Sequence, residues 1–496
     1  MTMARPATPA GIVIVGTGFA GIGLAMRLKR AGIDDFVLLE RAHELGGTWR
    51  DNAYPGCACD IPSELYSFSF ERNTRWTRVY PMRTEILAYL RACADTYGLE
   101  RHIRYDREIT EARYDEGAAR WSVRTRAGET FVAPVLVSAM GGLSNPAVPP
   151  LSGRETFAGP SFHSAHWNHA VDLSGKRVAV IGTGASAIQF IPQIAPQVER
   201  LTIFQRTPPW ILPKVDGPVG ARKRRLLRSV PGYAVASRAA IFWLLEVRAL
   251  GFTRAPQLLQ YAERLAHAHI ARSVCDPALR AKLAPHYRMG CKRILISNDY
   301  YPALARDNVA VVTEGIERIE AHAIVTRGGV RHAVDAIVYG TGFRAQAGLA
   351  PVRIVGTGGR TLDDVWRDGM SAYLGTSVAG FPNLFLLIGP NTGLGHNSMV
   401  YMIESQINYV LDALRALGRR RARALDVRPE VQAAFNTSLE HKLKNTVWQT
   451  GCTSWYLDRK GKNTTLWPGF AFEFRRRTKR IDPQCYRWFA DLPETS

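Results

Sequence analysis

The sequence predicts an α/β chain of two similar parallel-sheet units, the second interrupted by a helical insertion. Three observations predict it. A strand, a glycine turn, a helix and a second strand occur in that order twice, once from Gly11 and again from Lys176. The opening strands are short β-branched runs, apolar on both faces, as strands of a parallel sheet covered on each side must be. Between residues 216 and 290 such runs give way to Arg- and Ala-rich text. With 496 residues, 46% of them hydrophobic, the chain is too long for one core and too apolar for disorder, and the length prior allows about three domains.

Gly11 to Val15 is the first strand, a helical pattern runs to near Gly32, and Phe36 to Leu39 is a second strand ending in Glu40. Gly16, Gly18 and Gly21 complete a G-x-G-x-x-G at the turn. Glycines there let the backbone approach a pyrophosphate, the helix N-terminus offers unpaired N–H groups, and an acid at the second strand end accepts ribose hydroxyls. A Rossmann-like dinucleotide site is expected. The unit recurs as strand Arg177–Ile181, the turn Gly182, Gly184 and Ala187, a helix, and strand Leu201–Gln205. Its second strand ends in Gln205, Arg206 and Thr207, with no acid for a 2′-hydroxyl and a cation suited to a 2′-phosphate. That contrast predicts FAD in the first unit and NADPH in the second.

Residues 216–290 read as helical, including the apolar-periodic Ala239 to Phe252. Strand text resumes at Val309–Val312, Ala323–Val325 and Ala336–Tyr339, which ends in Gly340-Thr341-Gly342. A third glycine turn, Gly389 to Gly393, follows the apolar run Leu384–Ile388 and precedes a helix from about Ser398 to Leu417. The expected division is 1–150 with 380–496 for FAD, 151–215 with 291–379 for NADP, and 216–290 as the insertion.

The net charge of +21 is concentrated in two places. Residues 216–290 hold 13 basic and 4 acidic side chains, and residues 418–480 hold 15 and 5. No nucleic-acid motif accompanies them, so nucleic acid is not an expected partner. For Ala239–Phe252 the preferred reading is a core-facing helix with solvated arginines, and a peripheral membrane contact is the alternative. No apolar stretch approaches the ~20 residues of a spanning helix. The first ten residues lack a secretory apolar core, and seven scattered cysteines fit reduced thiols, so a cytoplasmic location is expected.

Three further stretches carry chemistry. Phe157-x-Gly159-x-x-x-His163-x-x-x-Trp167 is followed by Asn168; Gly46-Gly47-Thr48-Trp49 leads to Tyr54-Pro55-Gly56 and then Asp60; and Cys291-Lys292-Arg293 precedes Asp299-Tyr300-Tyr301. With the two glycine motifs, these resemble the fingerprints of the type I Baeyer–Villiger monooxygenases, FAD- and NADPH-dependent flavoproteins, across nearly the whole chain. The departures are Asn168, where that family usually has Pro or Asp, and Met140, where it usually has Thr. Trp167 separates the chain from the N- and S-oxidising flavin monooxygenases, whose action on amines or sulfides is the alternative reading.

The resemblance implies conversion of a ketone, with O2, into an ester or lactone through an anionic peroxide on the flavin. It implies that Arg293 stabilises that charge, that Asp60 holds Arg293, and that Lys292, Arg206 and Thr207 contact the NADPH 2′-phosphate. Gly16, Gly18, Gly21, Glu40, Gly47, Thr48, Trp49, Asp60, Tyr66 and Asn391 are the expected FAD contacts. Gly182, Thr183, Gly184, Ser186, Gln189, Arg293 and Trp455 complete those to NADP, with Trp455 in a mobile C-terminal loop. Phe157, Gly159, His163 and Trp167 mark the linker between domains. No metal is expected: His163, His166 and His169 spread around ~120° of a helical wheel without an acidic or Cys companion. Cys57-x-Cys59 is too closely spaced for a dithiol centre.

Overall fold

The computed structural model describes residues 7–344, 349 and 351–490, so part of the N-terminal stretch lies outside the described residues. Ile12–Val15 is central in a five-stranded, all-parallel sheet, flanked by Phe36–Leu39 and Val135–Ser138, with Ile103–Arg104 and Leu384–Leu386 outermost. The central strands are buried throughout, which is why they read as unbroken apolar runs. A second five-stranded parallel sheet repeats the plan. Arg177–Ile181 lies between Arg200–Phe204 and Ala336–Tyr339, and Val309–Val312 and Ser161–His163 form the edges.

Each parallel sheet carries an antiparallel companion. In the first unit Ile109–Asp115, Arg120–Thr125 and Thr130–Ala133 pair in sequence, and in the second Ile316–Glu320, Ala323–Thr326 and Arg331–Ala333 do so. Strand Arg353–Val355 adds to the first of these, parallel to Glu111–Arg113. The chain is therefore back in the first unit well before residue 380, which corrects the expected boundary. Val378, Trp366 and Ala372 share a core with Val13, Trp121 and Leu384.

The insertion is rooted on a two-stranded parallel pair, Ile211–Leu212 with Leu295–Ile296. Between them run helices Ala221–Ser229, Tyr233–Glu246, Ala249–Thr253, Leu259–Ser273 and Pro277–Leu283. The long helix Met399–Arg420 begins where Ser398 Oγ accepts from Val400 N at 3.2 Å, an ordinary N-cap. One apolar cluster joins Ile14 and Leu24 of the first unit to Phe190 and Tyr301 of the second and Val410 of this helix.

Candidate active site

Two segments 233 residues apart meet at Arg293 and Asp60. Arg293 Nε and Nη2 lie 3.0 and 2.5 Å from Asp60 Oδ2. The two side chains are 32% and 27% exposed, so the pair faces open space while its backbone is held. The Asp60 carboxylate holds the Arg293 pKa above the usual arginine range. Arg293 follows the Gly290 turn and precedes the root strand Leu295–Ile296. Asp60 is placed by the Tyr54–Ala58 turn, which is docked on the second unit through Gln189. Tyr54 Oη donates to Gln189 Oε1 at 2.9 Å, and Gln189 Nε2 donates to Ala58 O at 3.0 Å. Gly56 has φ +77°, and a Cβ there would meet Gln189 O at 2.8 Å, so glycine is required.

The first glycine turn forms a cradle of bare backbone. Gly16 has φ +104°, and a Cβ on Gly21 would sit 1.9 Å from Gly16 O. Gly18 opens helix Phe19–Arg30 without a side-chain cap and faces Gly47, next to Thr48, across 3.8 Å from its virtual Cβ. A pyrophosphate fits this arrangement of exposed N–H groups and absent side chains. Glu40 is buried and accepts from Thr17 Oγ1 at 2.6 Å, Thr17 N at 3.1 Å and Ala42 N at 3.0 Å. Trp49 Nε1 donates to Tyr66 Oη at 3.2 Å, and burial pushes the Tyr66 hydroxyl well above the usual tyrosine range.

The second turn is built alike, with Gly182 at φ +102° and Gly184 nearly free of neighbours. Thr183 Oγ1 donates to Thr207 O at 3.4 Å, and Ser186 stands at the start of helix Ala187–Ile194. Burial, and then the charge of Arg206, lower the Lys292 pKa; two cations therefore converge beside this turn, as a 2′-phosphate demands. Trp455 packs on Tyr456 with ring centroids 4.6 Å apart. Their loop is cross-linked to the active-site segment by a Cys291–Cys452 disulfide, which corrects the expectation of seven reduced thiols.

Known proteins share this plan. The pyridine nucleotide-disulphide oxidoreductase family profile matches residues 13–217. A Baeyer-Villiger monooxygenase of Streptomyces coelicolor is 49% identical over 97% of this chain and 93% of its own length. One of Pseudomonas aeruginosa is 50% identical over 98% and 94%. The chain belongs to the Baeyer–Villiger monooxygenases. A cyclohexanone monooxygenase from Rhodococcus sp. Phi1 bound to NADP+ superimposes with a TM-score of 0.88 at 30% identity, covering 98% of this chain and all of that one.

Among the remaining Baeyer–Villiger fingerprint residues, His163 ends the Ser161–His163 strand opposite Tyr339, and its Nδ1 accepts from Ala165 N at 3.1 Å. Trp167 packs against Phe162 and Phe190, each at 5.3 Å. Phe157 packs on the Ile181 and Ile337 core, and a Cβ on Gly159 would meet Asp335 O at 2.2 Å. Asn391 directs its amide to Asn463 O and Leu466 O at 2.9 and 3.1 Å, so its donors brace the third glycine turn.

Two features escaped sequence reasoning. Arg50, between the fingerprint positions, is buried with its Nη1 2.8 Å from Glu40 Oε1, and nothing in its spacing signals this. Glu246 of the insertion accepts from Asn397 Nδ2 at 2.6 Å and Phe472 N at 3.2 Å, latching the insertion to the third glycine turn. Nearby, Phe252 and Met289 of the insertion pack with Trp448 and Tyr456. Tyr456 is close enough to Arg293 to influence its proton affinity, so this apolar wall adjoins the site.

Proposed function

We propose that Arg293, held by Asp60, is the catalytic group in this chain's conversion of a ketone, with NADPH and O2, into an ester or lactone. FAD and NADPH are its cofactors. When bound, FAD reduced by NADPH would supply the electrons that activate O2, the source of the inserted oxygen atom. Arg293 places a cation that cannot lose its proton where negative charge develops, and Asp60 fixes its geometry without neutralising it by proton transfer. The apolar wall of Phe252, Met289 and Trp448 excludes water and receives the hydrocarbon part of the ketone.

The fold supports an FAD unit of residues 1–150 with the chain from Arg353 onward, an NADP unit around the second sheet, and the insertion as a cover. Arg206 and Lys292 select the 2′-phosphate, while Gly182 and Gly184 admit the pyrophosphate. NADPH is a reductant of the cell interior, which supports a cytoplasmic location.

The observation that carries this reading is the Arg293–Asp60 pair. Arg293→Ala should leave flavin reduction by NADPH largely intact and abolish ester formation, a loss of about 3 kcal/mol or more in transition-state stabilisation. Stopped-flow flavin absorbance and product mass read the two steps separately. Normal oxygenation by the variant would remove the assignment.

A further inference from the structure

Helix Tyr233–Glu246 is partitioned the wrong way round for a solvated surface helix. Its only charged side chains, Arg238 and Glu246, are both buried. Arg238 Nη1 donates to Glu64 O at 2.7 Å, and Glu246 holds the latch to Asn397. Outward, Val235, Trp243 and Leu244 are 51%, 53% and 67% exposed, and Val247 just beyond is 61% exposed. Alanines at 236, 239 and 240 fill the rest of that face. The stretch Ala239–Phe252, expected as one core-facing helix with solvated arginines, is instead divided between the end of this helix and Ala249–Thr253; its inner face is in the core, and its outer face presents hydrocarbon to solvent.

Cations rim this face from both basic segments. The preceding helix Ala221–Ser229 contains no acid and exposes Arg222, Arg225 and Arg228. On another side, the Trp243 ring is 5.6 Å from Phe472, which stacks on Phe470 at 5.3 Å. Arg254 lies 5.3 Å over Phe470, with Glu473 3.9 Å from its guanidinium. Phe472 belongs to helix Ala471–Arg477, whose last turn exposes Arg476 and Arg477. Segments far apart in sequence therefore place arginines around one aromatic and aliphatic patch.

We propose that this patch docks the protein on an anionic lipid bilayer. Trp243 and Leu244 enter the headgroup region, and the surrounding arginines meet lipid phosphates. Charge complementarity selects this occupant, because a second copy of the chain would bring an equally arginine-rich rim against the first. Among the described residues no helix is long and apolar enough to cross a membrane, so the contact is interfacial. The same insertion contributes Phe252 and Met289 to the cluster of Trp448 and Tyr456; the docking does not rest on the ketone reading.

The FAD-loaded protein should co-sediment with phosphatidylcholine vesicles containing phosphatidylglycerol at about 0.15 M salt, and roughly tenfold less with phosphatidylcholine alone. A Trp243→Ser, Leu244→Ser double variant should keep its flavin and its turnover of a water-soluble ketone while losing vesicle binding. An Arg222→Gln, Arg225→Gln, Arg228→Gln variant should lose the preference for anionic vesicles. Failure of the flavin-loaded wild type to bind anionic vesicles overturns the proposal. So does a wild-type dimer that the Trp243→Ser, Leu244→Ser variant converts to monomer in light scattering, since a second copy would then cover the face.

Discussion

His163 is a fingerprint residue whose setting makes a measurable demand on pH. Burial lowers its pKa from 6.5 to about 4, while its Nδ1 accepts the Ala165 N–H, a role that only the ring with that nitrogen unprotonated can fill. Above pH 6.5 the imidazole is neutral in folded and unfolded chains alike and contributes no pH dependence. As pH falls from 6.5 toward 4 the unfolded chain takes up a proton that the folded chain refuses, so stability is lost across that window, by about 3 kcal/mol at most. His163→Gln keeps an acceptor for Ala165 N–H without a titrating group. Its thermal midpoint should therefore fall less than that of the wild type between pH 7 and pH 4.5, and parallel losses in the two proteins would contradict the linkage.

Elements were legible where one local rule dominated. Strands Phe36–Leu39, Val309–Val312 and Ala336–Tyr339 are found with the bounds expected of them, because each is an unbroken apolar run, buried throughout in the first and last and half-buried at the sheet edge in Val309–Val312. Helix Met399–Arg420 follows from its period and its Ser398 cap. Strand Ile109–Asp115 alternates buried and solvent-facing residues, and Arg353–Val355 is only three residues long, so neither stands out from loop text, and the domain boundary was displaced with them. Within the site the glycine turns are local and readable, whereas the Arg293–Asp60 contact is tertiary and was reached only through resemblance. The Cys291–Cys452 link is tertiary too: 161 residues separate the partners, and counting cysteines could not pair them. It ties the loop bearing Trp455 and Tyr456 to the residue before Lys292. Freeing that loop adds an ordering cost of about 1 kcal/mol to cofactor binding, roughly fivefold in affinity. Cys452→Ser should raise KM for NADPH by that factor with a smaller change in kcat, and dithiothreitol should do the same to the wild type but not to the variant. Unchanged KM in both cases would mean that the loop is ordered without its cross-link.

At the scale of the whole molecule, the charge of +21 acts at two ranges that salt can separate. Burial, and then the charge of Arg206, disfavour the charged form of Lys292; on the proposed assignment a dianionic 2′-phosphate would relieve that repulsion and be held by both cations at short range, where screening is weak. The surplus cations of the insertion and of residues 418–480 act over a Debye length, which is about 10 Å at 0.1 M salt and about 3 Å at 1 M. Their field should speed the arrival of NADPH without altering the chemistry that follows. Raising salt from about 0.05 to 0.5 M should therefore lower kcat/KM for NADPH roughly tenfold at constant kcat. The decrease should be smaller for NADH, which carries less negative charge. Arg206→Ala should instead reduce the preference for NADPH over NADH at every salt concentration, because it removes a contact rather than a field. A kcat/KM for NADPH that ignores salt would show that the basic segments do not steer the cofactor, leaving the rim around Trp243 as the place where their charge is used.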